Sequence, residues 1–535
     1  MNKRRRTSSL GERDEAGKRG KGLELDTDVP KARGAATPIL RSPNAQQTEM
    51  VRFGQESLRK YGGVVLAGQM GSGKTGAGLM LGALMDAPGP TLFICTVSII
   101  GGVEGEVRKF FGDGVSVVVL RPGSSDVSFP ADTDIVITNR ETLTKLEGYQ
   151  WGTVIIDEAH DLRNPHTDRY ATMLGLQATY RVLLTGTPVN NTADEIVSLL
   201  EQAGLLTVTE GMSHRQYMQK EWSRVLLCIQ RSCLRINFDP GKKLDRMVIP
   251  VCFTDMEAEE HRAAIEQAMS EIDSRSAFHV FGRALNMCGT TEAKLRAVDE
   301  LLDNFDPERG MIFFATMRVM QEMILQRCVE RELPVGFING LMNMDERQEQ
   351  VDRLNNGDIR ILVCSRKACQ TGLNLQGAAD IVIVDLQSCN PFDYLQLECR
   401  AYRAGQSLDV RVYMLVIAET VESYIPRIHA RKIERARGIL KVIPTPKAFA
   451  NGRLRESFVR ESRACFLGIV DEEKKARRTG VVMAGEEEVV NLIMRTYRRD
   501  GTFITDEGEE EEAEDEGSSS STAVTPRQLG KSLWG

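Results

Sequence analysis

"VVLAGQMGSGKT", residues 64–75, decides how the rest of the chain is read. A short apolar run ends in a glycine-rich turn, and a lysine and a threonine follow at once. The next stretch, "GAGLMLGALM" (76–85), has the look of a helix. Glycines let a backbone approach phosphate oxygens closely, and a helix N-terminus points its free N–H groups at the same place. Gly68 to Thr75 spells G-x4-G-K-[ST] in the strand, turn, helix order that a phosphate-binding loop requires. In this reading Gly68, Gln69, Met70, Gly71, Ser72 and Gly73 cradle phosphate, Lys74 reaches the β- and γ-phosphates of ATP, and Thr75 binds Mg2+. The competing reading is a chance glycine-rich turn, and the flanking strand and helix weigh against it.

Eighty-three residues after Lys74, "TVIIDEAH" (153–160) ends another apolar run with two carboxylates. Asp157 suits Mg2+, and Glu158 suits the orientation and deprotonation of an attacking water. Alone, the string reads as an acidic turn; after a phosphate-binding loop it reads as the second half of a nucleotide site.

Around these motifs, short apolar runs alternate with helical patterns. One block has 64–68, 92–95, 115–120, 134–138, 153–157 and 181–186; a second has 311–315, 335–338, 360–365, 381–385 and 411–416. Strands this apolar, separated by helices, predict parallel sheets covered on both faces. The expected organisation is a disordered basic arm (1–35), a first α/β lobe (36–205), a mostly helical connector (206–291) and a second α/β lobe (292–445). A helical extension (446–499) and a disordered acidic, Ser-rich tail (500–535) complete it.

With 535 residues, 41% hydrophobic and 27% charged, the chain is long enough for several well-filled cores. No apolar run reaches the roughly 18 residues a spanning helix needs, and the N-terminus has no signal-peptide core. No membrane partner is expected. The 11 cysteines form no CxxC pair, so the expectation is reduced cysteines, no structural zinc and an intracellular location. The net charge of −7 misleads, because nine acids sit within 506–516; without them the remainder is near +2. The overall acidity therefore does not exclude a polyanionic partner.

"QLECRAYRAGQ" (396–406) places Arg400 and Arg403 three apart. Asn390 suits an N-cap, Pro391 the first helical position and Gly405 the stop, which predicts both arginines on one helix face. A solvated charged face is the plain reading of such a pair.

The motifs together resemble the Swi/Snf group of DNA-dependent ATPases, superfamily-two helicase-like motors. "LAGQMGSGKT" resembles that group's LADEMGLGKT, "VIIDEAHDLRN" its VIIDEAHxLKN, and "LLTGTPVNNTADEIVSLL" (183–200) its LLLTGTPIQNNxxELxSLL. "SRKACQTGLNLQGAADIVIVD" (365–385) and "CNPFDYLQLECRAYRAGQ" (389–406) resemble STKAGGxGLNLxxAxxVIxxD and WNPxxxxQAxxRxxRIGQ. The likeness runs over roughly residues 40–440 in unbroken order. It implies two RecA-like lobes with ATP and Mg2+ between them and double-stranded DNA as the partner. It also implies that Arg403, with Arg400, crosses from the second lobe to the phosphates. Gln46 or Gln47 lies where the family's adenine-contacting glutamine falls, and Ser98 and Ser365 lie where it grips DNA. Cys389 replaces the family's tryptophan, Cys369–Gln370 its Gly-Gly, and Thr96 its proline; none removes a catalytic group.

The implied function is an ATP-driven translocase on duplex DNA, in chromatin remodelling, transcription or repair, with the acidic tail open to protein partners. Its compactness suggests a viral member acting at viral DNA; a cellular member would be nuclear. The alternatives are an RNA helicase of the DEAH type, a transcription-associated DNA-dependent nucleoside triphosphatase like that of poxviruses, and a weakly catalytic scaffold.

Overall fold

A computed structural model describes residues 39–123, 127–270, 277–369, 372–450 and 453–478. The basic arm, the acidic tail and the extension beyond residue 478 lie outside the described residues.

Two parallel sheets organise the chain. The first contains β1 (Gly63–Gly68), β2 (Thr91–Cys95), β3 (Val117–Leu120), β4 (Ile135–Asn139), β5 (Gln150–Ile156), β6 (Gln177–Thr185) and β7 (Cys233–Ile236). Its order is β3-β4-β2-β5-β6-β1-β7. The second contains β8 (Leu244–Val251), β9 (Met311–Ala315), β10 (Val335–Ile338), β11 (Ile361–Ser365), β12 (Asp380–Ile383) and β13 (Val410–Ile417), in the order β10-β11-β9-β12-β13-β8. Central strands such as β1, β2, β4 and β12 are buried along their whole length. Helices on both faces explain why their sequences are continuous apolar runs rather than alternating ones. Each fully buried Val, Leu, Ile or Phe contributes about 1.5–3 kcal/mol, so these strands carry much of the stability.

Among its described residues, segment 206–291 contains four helices, His214–Lys220, Trp222–Ser232, Asp255–Ser270 and Ala277–Gly289. It also gives each sheet an edge strand, β7 to the first and β8 to the second. β8 alternates between more and less exposed positions, because an edge strand under partial cover buries mainly one side. A search for continuous apolar runs passes over it.

The C-terminal helices return to the first lobe. Helix Ile425–Val442 packs Ile425 and Ile428 into the second lobe's core and Ile439 and Val442 into the first's. Helix Glu456–Arg478 then adds Phe466 and Val470 to the first-lobe core. Among the described residues no helix is long and apolar enough to cross a membrane.

Candidate nucleotide site between the lobes

In open parallel sheets, ligands bind beyond the carboxyl ends of the strands. Three loops meet at that edge of the first sheet, after β1, β5 and β6, which are neighbours in the order β5-β6-β1. The loop after β1 turns through Gly71 (φ 82°) and Gly73 (φ 83°), left-handed conformations that glycine adopts without strain. A side chain at Gly73 would also meet Gln47 at 2.7 Å. Helix α2 (Lys74–Leu84) starts directly after, so its free N–H groups point into the turn. Lys74 is nearly buried, and its ammonium donates to the carbonyls of Gly68 (2.8 Å) and Gln69 (3.4 Å).

Thr75 Oγ1 donates to Asp157 Oδ2 at 3.2 Å. Two hard oxygens at that separation fit neighbouring ligands of Mg2+, which lie about 3 Å apart when each bond is about 2.1 Å. The residues present therefore fit the ion. Burial pushes the Asp157 carboxyl up to about 6, and the neighbouring Glu158 charge adds to this, while Lys74 opposes it. Glu158 behaves oppositely. Burial works against its charge, but the His160 hydrogen bond, Lys74 and the Gly186 amide outweigh it and hold the carboxyl below its ordinary range. Glu158 stands in a left-handed conformation (φ 49°), an uncommon state for a residue with a side chain. It is braced by the Gly186 N–H (3.4 Å) and by His160 Nδ1 (3.3 Å), which also meets Thr185 Oγ1 at 3.0 Å.

Arg140 carries no motif signal, so sequence reading missed it. Its guanidinium donates to the carbonyls of Asp157 (3.2 Å) and Glu158 (3.1 Å) and pairs with Asp161 (2.6 Å). It follows β4, two strands away from β5 in the sheet, and fixes the turn that presents both carboxylates. No local spacing reveals such a contact.

The two glutamines part company. Gln47 closes a capping box with Asn44 at the start of helix α1 (Ala45–Tyr61), and its amide donates to the Gly73 carbonyl at 3.2 Å. Gln46 points elsewhere, donating to the Asn237 carbonyl at 3.1 Å.

The second lobe brings helix Pro391–Ala401 to the cleft, with Asn390 capping and Pro391 at its first turn. The expectation of two arginines on one helix face is corrected. The helix ends at Ala401, four residues before Gly405, because Tyr402 turns out of helical geometry (ψ 82°) as its cap. Arg400 rides the last turn; Arg403 lies beyond the helix and donates to Asn374 Oδ1 in its own lobe. Arg400 is close enough to feel the Glu158 charge, and Cys399 beside it feels Lys74. Burial pulls both guanidinium groups below their ordinary pKa.

Ser98 lies in a short 3-10 turn after β2 (Val97–Ile99), facing the second lobe; a Cβ on Gly372 would come within 3.2 Å of Ile99 and 3.9 Å of the Ser98 carbonyl. Ser365 ends β11. The two serines thus stand at the carboxyl edges of different sheets.

A glycine-turned loop ahead of α2, the Asp157–Glu158 pair after β5 and a second parallel-sheet lobe match the plan of a two-lobed P-loop nucleoside triphosphatase. Comparison with known proteins takes the class further. An SNF2-related domain matches residues 46–269, and a helicase conserved C-terminal domain matches residues 293–405. Together they take in more than half the chain, which belongs to the SNF2 family of helicase-like ATPases. The mouse chromodomain-helicase-DNA-binding protein 1-like is 24% identical over 72% of this chain and 49% of its own length. The rice DNA excision repair protein CSB is 25% identical over 65% of this chain and 33% of its own. The chain thus spans at most about half the length of these curated relatives. The Sulfolobus solfataricus SWI2/SNF2 ATPase core in complex with dsDNA is 20% identical, over 77% of this chain and 98% of that one, with a TM-score of 0.37.

Proposed function

We propose that this chain hydrolyses ATP between its two lobes and uses the cycle to move along double-stranded DNA. The observation that carries the reading is geometric: Lys74 opens α2 inside the glycine turn, and Thr75 beside it stands 3.2 Å from Asp157 at the end of β5. Lys74 and the α2 amides bind the phosphates, and Thr75 and Asp157 hold Mg2+, which when bound neutralises phosphate charge. Glu158 accepts a hydrogen bond from the attacking water and orients it. Arg400 and Arg403 stabilise the charge that develops on the γ-phosphoryl oxygens, an effect on the order of 10³–10⁵ in rate. Closure for hydrolysis and opening afterwards alternate two grips on a phosphate backbone, with Ser98 in one lobe and Ser365 in the other. Gln47 contacts adenine while keeping the loop in register.

Duplex DNA as the track is supported by the motif wording and by what the relatives' names say of them. Action in chromatin, transcription or repair, in a nucleus or at viral DNA, and protein partners through the acidic tail belong to the same proposal. The test is steady-state ATP hydrolysis by the full chain with duplex DNA, with RNA and with neither. Duplex DNA should stimulate most, without strong sequence preference, and stimulation should fall steeply with salt because phosphate contacts release counterions. Stimulation by RNA alone reassigns the track; absence of hydrolysis under every condition makes the chain a scaffold.

A further inference from the structure

Seven residues, 237–243, carry the chain from β7 at the edge of one sheet to β8 at the edge of the other. They are not a slack linker. At the first-lobe end the Gln69 N–H donates to the Ile236 carbonyl (3.1 Å), and the Phe238 N–H donates to Gln69 Oε1 (2.6 Å). The Phe238 ring lies against Gly71, where an added Cβ would sit 3.1 Å from Cε1. Gln46 adds its bond to the Asn237 carbonyl. The segment therefore grips the apex of the phosphate-binding loop.

Its far end grips the arginine-bearing element. Tyr402, the residue between Ala401 and Arg403, donates its hydroxyl to the Lys242 carbonyl at 2.9 Å. The Lys243 N–H donates to Asp409 Oδ1, and the Val410 N–H to the Lys243 carbonyl, both at 2.9 Å. Three residues further, Arg246 forks onto Glu398, Nη2 to Oε2 at 2.6 Å and Nε to Oε1 at 3.1 Å, two positions before Arg400 in the same helix. Bidentate pairs of this kind fix orientation as well as distance. The middle of the segment is folded into a turn rather than extended. Gly241 takes φ 73° after Pro240, and its N–H donates to Asp239 Oδ1 at 2.7 Å. That is a turn closed by the Asp239 side chain.

We propose that 237–243 is a strap that couples the register of the phosphate-binding loop to the position of the arginine element, so that neither moves without the other. Phe238 and Tyr402 are positioning residues. They touch no reacting atom; they set how far Arg400 stands from the loop that holds Lys74. The catalytic consequence rests on the ATPase reading above; the mechanical coupling does not. A flexible tether would let the lobes close around nucleotide but would not transmit the closure to the loop. This segment transmits it because both ends are hydrogen-bonded to the moving parts and the turn between them is closed by the Asp239 side chain.

The test reads the first lobe while changing only the second. Hydrogen exchange of the amides at 69–73 is followed in the full chain without nucleotide, for the parent, Tyr402→Phe and Phe238→Ala. Tyr402→Phe removes one hydroxyl; it should nevertheless speed exchange at 69–73 about threefold or more, and Phe238→Ala should speed it further. In single-turnover ATP hydrolysis each variant should fall about tenfold, and the double variant should fall no further than the worse single, because both cut one connection. Phe238→Leu, which keeps an apolar side chain on Gly71, should recover most of the rate. Unchanged exchange at 69–73 in Tyr402→Phe overturns the strap, and so does a double variant whose loss is the product of the singles. Absence of hydrolysis in the parent chain would end the ATPase reading, while the exchange comparison would still decide the strap.

Discussion

The two lobes hold their candidate site residues in different ways. In the first, the chemistry is built locally: eight consecutive residues make the loop and its lysine, and two consecutive residues make the acid pair. In the second, two arginines three apart are separated by the end of a helix, and their directions come from distant partners. The first lobe holds its groups before any partner arrives. The second supplies a charge whose value depends on where a whole domain stands. On the proposed function, catalytic control would lie in lobe placement rather than in the reactive groups themselves.

If the first lobe is as ready as its geometry indicates, its two key residues separate binding from chemistry. Glu158→Gln should lower hydrolysis by about 10²–10⁴ and leave ATP affinity near the parent's, because the amide can still be hydrogen-bonded but cannot take the proton. Lys74→Ala should lose affinity as well as rate. Equal loss of ATP affinity in two folded variants would break the division of roles; equilibrium nucleotide binding beside single-turnover rates measures it.

The second lobe is braced internally by a buried ion pair. Lys294 Nζ and Glu422 Oε1 are 2.7 Å apart with both side chains fully buried, and the same carboxylate accepts the N–H groups of Leu386 (2.9 Å) and Ile417 (2.8 Å). Lys294→Met should destabilise this lobe by about 3–5 kcal/mol, since it strands a carboxylate in the core. Adding Glu422→Gln should recover part of that. Thermal unfolding followed by proteolysis of each lobe would show whether the loss is confined to the second, as expected.

A smaller effect is set by pH. His429 is buried and its Nε2 donates to the Ser388 carbonyl at 2.8 Å; burial lowers its pKa from 6.5 to about 4. The unfolded chain takes the proton first, so stability rises with pH between 4 and 6.5 and is lost as the solution is acidified through that window. From pH 7 to pH 5 this one group should cost about 2 kcal/mol. His429→Gln should flatten that part of the pH profile of the melting temperature; an unchanged slope would remove His429 from the account.

The same contrast decides what the sequence could disclose. The loop at Lys74 and Thr75 and the pair Asp157–Glu158 were legible as motifs because each is written in consecutive residues. The central strands were legible because burial on both faces leaves an unbroken apolar run. β7 and β8 were not: one is four residues long and the other alternates like any half-covered edge. Arg140 was invisible because its partners are carbonyls 17 and 18 residues away. The helix end at Tyr402 was hidden because Gly405 advertises a later stop. That Gln47 rather than Gln46 reaches the Gly73 carbonyl could not be read from the sequence, because both lie on one helix turn.

The central claim is that the first lobe's site is completed from the second. The most direct test is single-turnover hydrolysis at saturating Mg-ATP and duplex DNA for Arg400→Ala and Arg403→Ala, with ATP affinity measured separately. Arg400→Ala should hydrolyse about 10³-fold more slowly with affinity changed only a few-fold, since its contact matters chiefly in the transition state. Arg403→Ala should fall less, because Asn374 already engages it. A larger loss from Arg403 would mean that the lobes rotate and release it from Asn374 before hydrolysis. Parental rates in both variants would contradict the account and return the two arginines to a charged surface.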